Sequence, residues 1–230
     1  MKKLLVLITV LSSISLFSQN AINQFDSNGK RHGLWKKTYE GYDQLRYQGT
    51  FEHGKEVGEF MFYKPKYGKQ PSAIKTYSKD TDLVLVSYFT KKGKLISKGQ
   101  LKDRLRTGKW EYYHNNTDAI MMIEHYKDDK LHGKKTAYFD NGNITEEYNY
   151  INGNKEGDYK LYSLNGVLLQ HLNYKNNELH GAALFYNGKG EVTKKGQYKN
   201  GRKDGYWQYY DQGNLTEEIF FPINTSRKKG

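Results

Sequence analysis

The chain has 230 residues, a formal net charge of +12 and no cysteine. Its length allows one or two domains, and the missing cysteines exclude disulfides, thiol catalysis and thiolate metal sites. The mean hydropathy of −0.92 is low for a packed globule. However, 15% of the residues are aromatic, whereas disordered chains are poor in aromatic residues. With 23 glycines and only 3 prolines, the composition predicts β-structure covered by aromatic rings.

The first predicted element is a secretory signal peptide over residues 1–19. Lys2 and Lys3 form its charged start, and residues 4–14 supply an apolar core of the usual length. The run is too short for a membrane span, and we predict no transmembrane segment in the mature chain. We expect cleavage near Gln19 and export to the periplasm, the outer-membrane periphery or the extracellular space.

A repeat of about 24 residues fills the predicted domain over residues 20–222. Gly33 opens the series, and each later anchor glycine has an aromatic residue or leucine seven positions before it and tyrosine five positions after it, as Tyr150 and Tyr162 flank Gly157. The gap between the second and third anchors hides a degenerate copy around Val84, which makes eight copies from roughly residue 25 to 221. The anchors are Gly33, Gly58, Gly108, Gly133, Gly157, Gly181 and Gly205.

Each copy contains two polar turns, a first turn such as KNGR (199–202) and a second turn such as DQGN (211–214). Asn, Asp and Gly accept the positive φ that tight hairpins need, and the residues between turns alternate with a period of two. One hairpin cannot bury its aromatic face alone, so neighbouring copies must stack. We therefore predict an all-β fold, an elongated, twisted, single-layer antiparallel β-meander of eight hairpins with no helical domain. Residues 223–230 are predicted to be a disordered basic tail.

Three segments carry a family resemblance: GKWEYYH (108–114), GDYKLYSLNG (157–166) and GYWQYYDQGN (205–214). They resemble the bacterial MORN repeat variant. The resemblance implies a β-hairpin repeat fold without common catalytic residues and, through the YwqK-type antitoxin label of such chains, an antitoxin role. Val84 replaces an anchor glycine, Thr117 replaces a second-turn glycine, and two prolines interrupt the second copy. We expect the functional surface where copies differ, around residues 64–90.

Candidate chemical groups do not combine into a catalytic or metal site. His32, His132 and His180 each precede an anchor glycine. Equivalent positions four strands apart are about 19 Å apart, too far to share an ion. The pairs Glu146–Glu147 and Glu217–Glu218 consist of neighbours that point to opposite faces of a strand, so neither pair can flank one glycosidic bond. We predict no enzyme, no catalytic residue, no metal and no cofactor.

Aromatic residues two positions after several repeat anchors form a ladder, which is the feature of the sequence most relevant to function. The rings can form the core itself, or part of the ladder can be exposed and stack on sugars or insert into a partner. The candidate binding aromatics are Trp35, Phe60, Trp110, Tyr159 and Trp207.

The +12 charge favours anionic partners, and export argues against nucleic acid. Three hypotheses remain open. The first is a non-enzymatic exported scaffold that binds another protein of the cell envelope, an acidic one by charge. The second is an antitoxin or immunity protein that neutralises a toxin. The third is binding of an envelope glycan or anionic lipid through aromatic and basic residues.

Overall fold

The computed structural model describes residues 21–222, which form 18 β-strands and no helix. The predicted signal peptide (1–19) and basic tail (223–230) lie outside the described residues. The strands are β1 (Gln24–Phe25), β2 (Arg31–Thr38), β3 (Leu45–Glu52), β4 (Lys55–Phe62), β5 (Ala73–Tyr77), β6 (Leu83–Phe89), β7 (Leu95–Lys102), β8 (Leu105–Tyr113), β9 (Ile120–Lys127), β10 (Lys130–Leu131), β11 (Gly133–Tyr138), β12 (Ile144–Ile151), β13 (Asn154–Tyr162), β14 (Leu168–Lys175), β15 (Glu178–Tyr186), β16 (Val192–Lys199), β17 (Arg202–Asp211) and β18 (Asn214–Phe221).

The strands follow one another in a single antiparallel sheet, in which neighbours in sequence are neighbours in space. Two short strands, β10 and β11, together take the place of one, and His132 interrupts them while its backbone N–H donates to His125 O at 2.8 Å. At the N-terminal edge, the two-residue β1 pairs with the start of β2. The predicted antiparallel β-meander with two strands per copy is confirmed.

The first turns have the backbone that tight hairpins need. In six of them both central residues have positive φ, for example 51° at Asn200 and 75° at Gly201. Type I′ turns require this combination, and their twist matches the twist of the flanking strands. Asn, Asp and Gly adopt positive φ with the least conformational strain, which explains the composition of these turns.

Five of the anchor glycines lie at β-bulges, where the register of a strand pair shifts. All seven have positive φ, from 63° at Gly108 to 103° at Gly133, and at Gly108 the register between β7 and β8 shifts. An extra residue in this conformation is the G1 type of bulge, which favours glycine. Val84 takes the anchor place in the third copy, and there the β5–β6 ladder has no shift. A β-branched residue does not adopt positive φ without strain, so this copy lacks the bulge.

The core is a row of large rings over small residues on one face of the sheet. Trp110 and Trp207 are 3% and 0% exposed, and the indoles cover Gly99 and Gly196 on the neighbouring strands. A Cβ at either glycine would overlap the indole. Each indole N–H donates to a backbone carbonyl at 3.1 Å, so the buried polar atom is satisfied.

A polar seam in the fifth copy divides this core into two apolar clusters. The first is built on Val86, Leu101, Trp110 and Tyr126, and the second on Tyr159, Leu172, Ala183 and Trp207. Between them, Lys135 takes the ladder position of the fifth copy and approaches Glu124 at 3.4 Å. Glu124, which lies opposite Trp110, is only 6% exposed.

Candidate functional site

Four of the five candidate binding aromatics form the core. Phe60, Trp110, Tyr159 and Trp207 are between 0% and 8% exposed. At this exposure, the faces of the four rings lie against the surrounding residues of the sheet. A ligand-binding role for these four side chains stays a prediction, and the packing role is the one that their surroundings describe.

Trp35, the fifth candidate, differs because it lies in the first copy and is half-buried. Phe25 packs edge-on against its indole with the ring centroids 5.1 Å apart, and the Arg31 guanidinium lies 4.8 Å from the indole centroid. The indole N–H donates to Gln24 O at 3.0 Å. Trp35 therefore anchors the β1 segment onto the edge of the sheet.

Trp35 also lines an open groove of about 920 Å³ beside the outer edge of β2. The wall opposite β1 is the second turn of the first copy, in which Tyr42 is 74% exposed. The floor is the end of β2, from Lys36 to Thr38. Aromatic rings, both signs of charge and a strand edge thus meet at the N-terminal end of the sheet.

The second main surface lies where the copies differ. The sequence indicates this region only coarsely, around residues 64–90. Residues 61–100 contain nine lysines and two aspartates. Five of these lysines are exposed on the second turns of the second and third copies. We call this set the basic rim: Lys64, Lys66, Lys69, Lys91 and Lys92.

Hydrogen bonds join the turns of the basic rim to their neighbours. Tyr39 Oη donates to Tyr63 O at 2.8 Å, and the Gln44 side chain donates to Gly68 O at 2.8 Å. The Lys94 ammonium donates to two carbonyl oxygens of the 114–119 turn, each at 2.7 Å. Where the second turns of the second and third copies meet, Phe89 N donates to Ser72 O at 2.9 Å. The second turns of the first four copies are therefore joined to one another, and the rim lies on neighbouring turns.

The lysines of the basic rim differ from those on the faces of the sheet in whether a nearby carboxylate compensates their positive charge. Lys98 and Lys109 both bind the Glu111 carboxylate, at 3.0 and 2.7 Å. The hydrogen bond from Lys109, with those from Tyr113 and Lys98, lowers the pKa of Glu111 to about 2 although burial opposes the shift. None of the five rim lysines pairs with a carboxylate of residues 21–222. The rim therefore projects uncompensated positive charge.

The seam holds the other concentrated set of charged groups. The Tyr126 hydroxyl donates to Glu124, and the Arg106 guanidinium donates to the same hydroxyl at 2.7 Å and to Asp129 at 2.6 Å. Burial, and then the hydrogen bond to Glu124, raise the pKa of Tyr126. No buried side-chain nitrogen or oxygen in the described part lacks a partner. The polar groups of the seam bond to one another, and such a network stabilises the pairing of these strands. It therefore does not present a free polar group to a ligand.

Two histidines that are distant in sequence meet at the first-turn side of the first copy. The rings of His32 and His53 lie 4.9 Å apart, and His53 contacts the Asp26 carboxylate at 2.7 Å. The sequence does not indicate this grouping, because only the pairing of β1 and β3 with β2 brings the three side chains together. Between residues 21 and 222 no group of three or more His, Cys, Asp or Glu side chains has a metal-binding arrangement.

The comparisons with known proteins agree with the repeat. Residues 131–152 and 155–176, in the fifth and sixth copies, match the MORN repeat variant. The chain therefore contains two adjacent repeats of this type. No curated protein matches the chain. Residues 21–222 contain no helix that is long and apolar enough to cross a membrane.

Two solved structures show weak similarity. One is the crystal structure of TarM, with 14% identity over 46% of this chain and 21% of that chain, at a TM-score of 0.29. The other is a mutant of S. aureus TarM in complex with fondaparinux, alpha-GlcNAc-glycerol and UDP. It has 13% identity over 58% of this chain and 21% of that chain, at a TM-score of 0.26. This chain thus spans about a fifth of the length of those proteins, and similarity at this level carries no argument.

Proposed function

We propose that the chain is a non-enzymatic, exported scaffold whose basic rim binds an acidic surface of another envelope protein. The observation that carries the proposal is the set of five exposed lysines without carboxylate partners in the described part, held on adjacent turns of a rigid sheet. MORN repeats are commonly protein- or lipid-binding scaffold elements, which supports the same class of function.

The position of the exposed lysines on adjacent turns favours a protein rather than a small molecule as the partner. The 63–72 turn is longer than the other second turns, and its Tyr67 is half-buried among the lysines. Electrostatic complementarity of this kind steers association and suppresses wrong partners. A rim of exposed lysines predicts an association that weakens as salt increases, since the Debye length falls to about 8 Å at physiological ionic strength.

The test is affinity capture from the producing cell's envelope with residues 20–230, crosslinked and identified by mass spectrometry. The rim variant replaces four exposed lysines by glutamate: Lys64, Lys69, Lys91 and Lys92. The matched control makes the same charge change at four exposed lysines elsewhere: Lys127, Lys175, Lys189 and Lys199. We expect one stoichiometric protein, captured at least about tenfold less by the rim variant than by the control.

The identity of the captured material decides among the functions. A toxin that the chain neutralises would support the antitoxin role, and an envelope protein without toxicity supports the scaffold. Capture of glycan or lipid alone, abolished by moderate salt, would replace both with glycan or lipid binding. Equal capture by the rim and control variants would show that the basic rim is not the binding surface.

A further inference from the structure

The two ends of the sheet differ in how their outer strand is covered. At the C-terminal end, β18 pairs with β17 on its inner side, and no described strand lies along its outer side. Leu215 and Phe220 of β18 are 53% and 57% exposed. An exposed edge strand with unpaired backbone groups is a template for another strand.

At the N-terminal end, only part of β2 is covered. The two-residue β1 pairs with Arg31 and His32. The Asn23 side chain then accepts a hydrogen bond from Lys36 N at 2.8 Å. Beyond that contact, the end of β2 faces the open groove of about 920 Å³. Within residues 21–222, the chain thus has an outer strand without a second neighbour at one end and a half-open strand edge at the other.

The repeat itself provides the register that would join these ends. Within the sheet, Lys194 of β16 pairs with Tyr209 of β17, and Lys195 pairs with Gln208. β18 corresponds to β16, since Phe221 pairs with the anchor glycine of its copy as Tyr198 does.

β2 corresponds to β17, because Gly33 and Gly205 are equivalent anchors. Applied to these two strands, the β16–β17 register places Glu217 opposite Lys37 and Glu218 opposite Lys36. Opposite charges in directly facing positions of an antiparallel pair are stabilising.

The charges select the partner strand. β2 alone among the anchor-bearing strands has lysine at both of these positions. Two β18 strands paired about a two-fold axis would bring Glu217 and Glu218 of the two copies together, and facing like charges are destabilising. The distribution of charge along the molecule also favours contact between unlike ends. Residues 21–120 hold 19 basic and 11 acidic side chains, whereas residues 121–222 hold 13 basic and 14 acidic side chains.

We propose that β18 of one copy pairs head to tail with the open half of β2 of a second copy, with Glu217 and Glu218 facing Lys37 and Lys36. The Asn23 side chain occupies Lys36 N in one copy, so full pairing at Lys36 requires β18 to replace this hydrogen bond, which weakens the association. A head-to-tail interface leaves one free end on each copy and therefore continues into a filament or closes into a ring.

A charge swap tests the proposal by sedimentation velocity of the purified chain over about a hundredfold range of concentration. One variant carries Glu217→Lys and Glu218→Lys, and the other carries Lys36→Glu and Lys37→Glu. Each variant alone brings like charges together at the contact, and we expect at least about a tenfold loss of association. In an equimolar mixture every contact again joins opposite charges, so association returns.

The control carries Asp82→Lys and Asp118→Lys, which make the same charge change as the Glu217/Glu218 variant at exposed sites away from both ends. It should associate like the unaltered chain, and circular dichroism checks that all variants keep the β-fold. A chain that stays monomeric throughout the range overturns the proposal. Association that survives in either charge-reversed variant also overturns the proposal. So does a failure of the two folded variants to associate when they are mixed.

Discussion

The first four and the last four copies use one framework but differ in charge and in their turns. The C-terminal copies have short second turns and almost balanced charge, and the MORN repeat variant matches two of them. The N-terminal copies include the long 63–72 turn, the degenerate copy at Val84 and most of the net charge. Both halves nevertheless place a tryptophan over a glycine in the core. The difference indicates that rings and turns maintain the fold, whereas the rim of the N-terminal half is free to serve recognition.

The largest effect should come from the shared framework. We expect Trp207→Ala to reduce the free energy of unfolding by about 3–5 kcal/mol, because it leaves a cavity over Gly196. Trp35→Ala should cost clearly less, about 1 kcal/mol, since Trp35 is half-buried at the edge of the sheet. Urea unfolding followed by circular dichroism measures both. Equal losses would mean that the edge copy is as tightly packed as the interior.

The seam between the two halves should give the next largest effect. Lys135→Leu leaves the Glu124 carboxylate buried without its cation, and we expect a loss of about 2–3 kcal/mol. Adding Glu124→Leu should recover most of this loss, because an apolar pair can replace a buried ion pair. Lys134→Leu is the control, since Lys134 is exposed and its loss should cost under about 1 kcal/mol. A double variant no more stable than Lys135→Leu would contradict this account.

Acid should weaken the N-terminal half through Glu111. Its folded pKa of about 2 lies below the ordinary value of 4.5, so the ionised side chain contributes stability above about pH 4.5 and loses it as the pH falls towards 2. We expect a contribution of about 2 kcal/mol at neutral pH, less than the full shift implies, because Lys98 and Lys109 are half exposed. In Glu111→Gln the unfolding midpoint should fall less steeply with acid over this range. An unchanged slope would exclude Glu111 as a source of acid sensitivity.

The smallest effect on stability should come from the basic rim. Replacing Lys64, Lys69, Lys91 and Lys92 by glutamate should change the free energy of unfolding by less than about 0.5 kcal/mol per site, since none pairs with a described carboxylate. Thermal unfolding of the rim variant beside the control from the C-terminal half checks this. A large loss confined to the rim variant would show that the lysines stabilise the N-terminal copies, and any loss of capture would then reflect folding.

The repeat was predictable because it depends on local rules. The first turns require positive φ, which Asn, Asp and Gly provide, and the anchor glycines recur at the spacing of one hairpin. The tyrosines and tryptophans between them identify a face that only stacked neighbours can bury. Even the exception at Val84 was visible, although the absence of a bulge there became clear only from the ladder.

The candidate site was predictable only in part. The repeat indicates the ladder positions but not their burial, because equivalent positions differ between an interior strand and an edge strand. Trp207 is fully buried, whereas Trp35 is only half-buried because β1 covers just part of the outer side of β2. The seam was also missed, since Glu124 and Lys135 look like ordinary solvated charges until strand pairing places them side by side.

The sequence by itself determined the period, the turns, the strand number of each copy and the excess of positive charge, because each depends on residues within about one hairpin. The tertiary structure decided which rings are closed off, which lysines keep partners and which strand edges stay open. Those properties depend on contacts between neighbouring copies and on whether a described strand lies on both sides of a given strand. In a repeat sheet, position along the stack changes the environment of the same residue, and the local sequence does not encode that position.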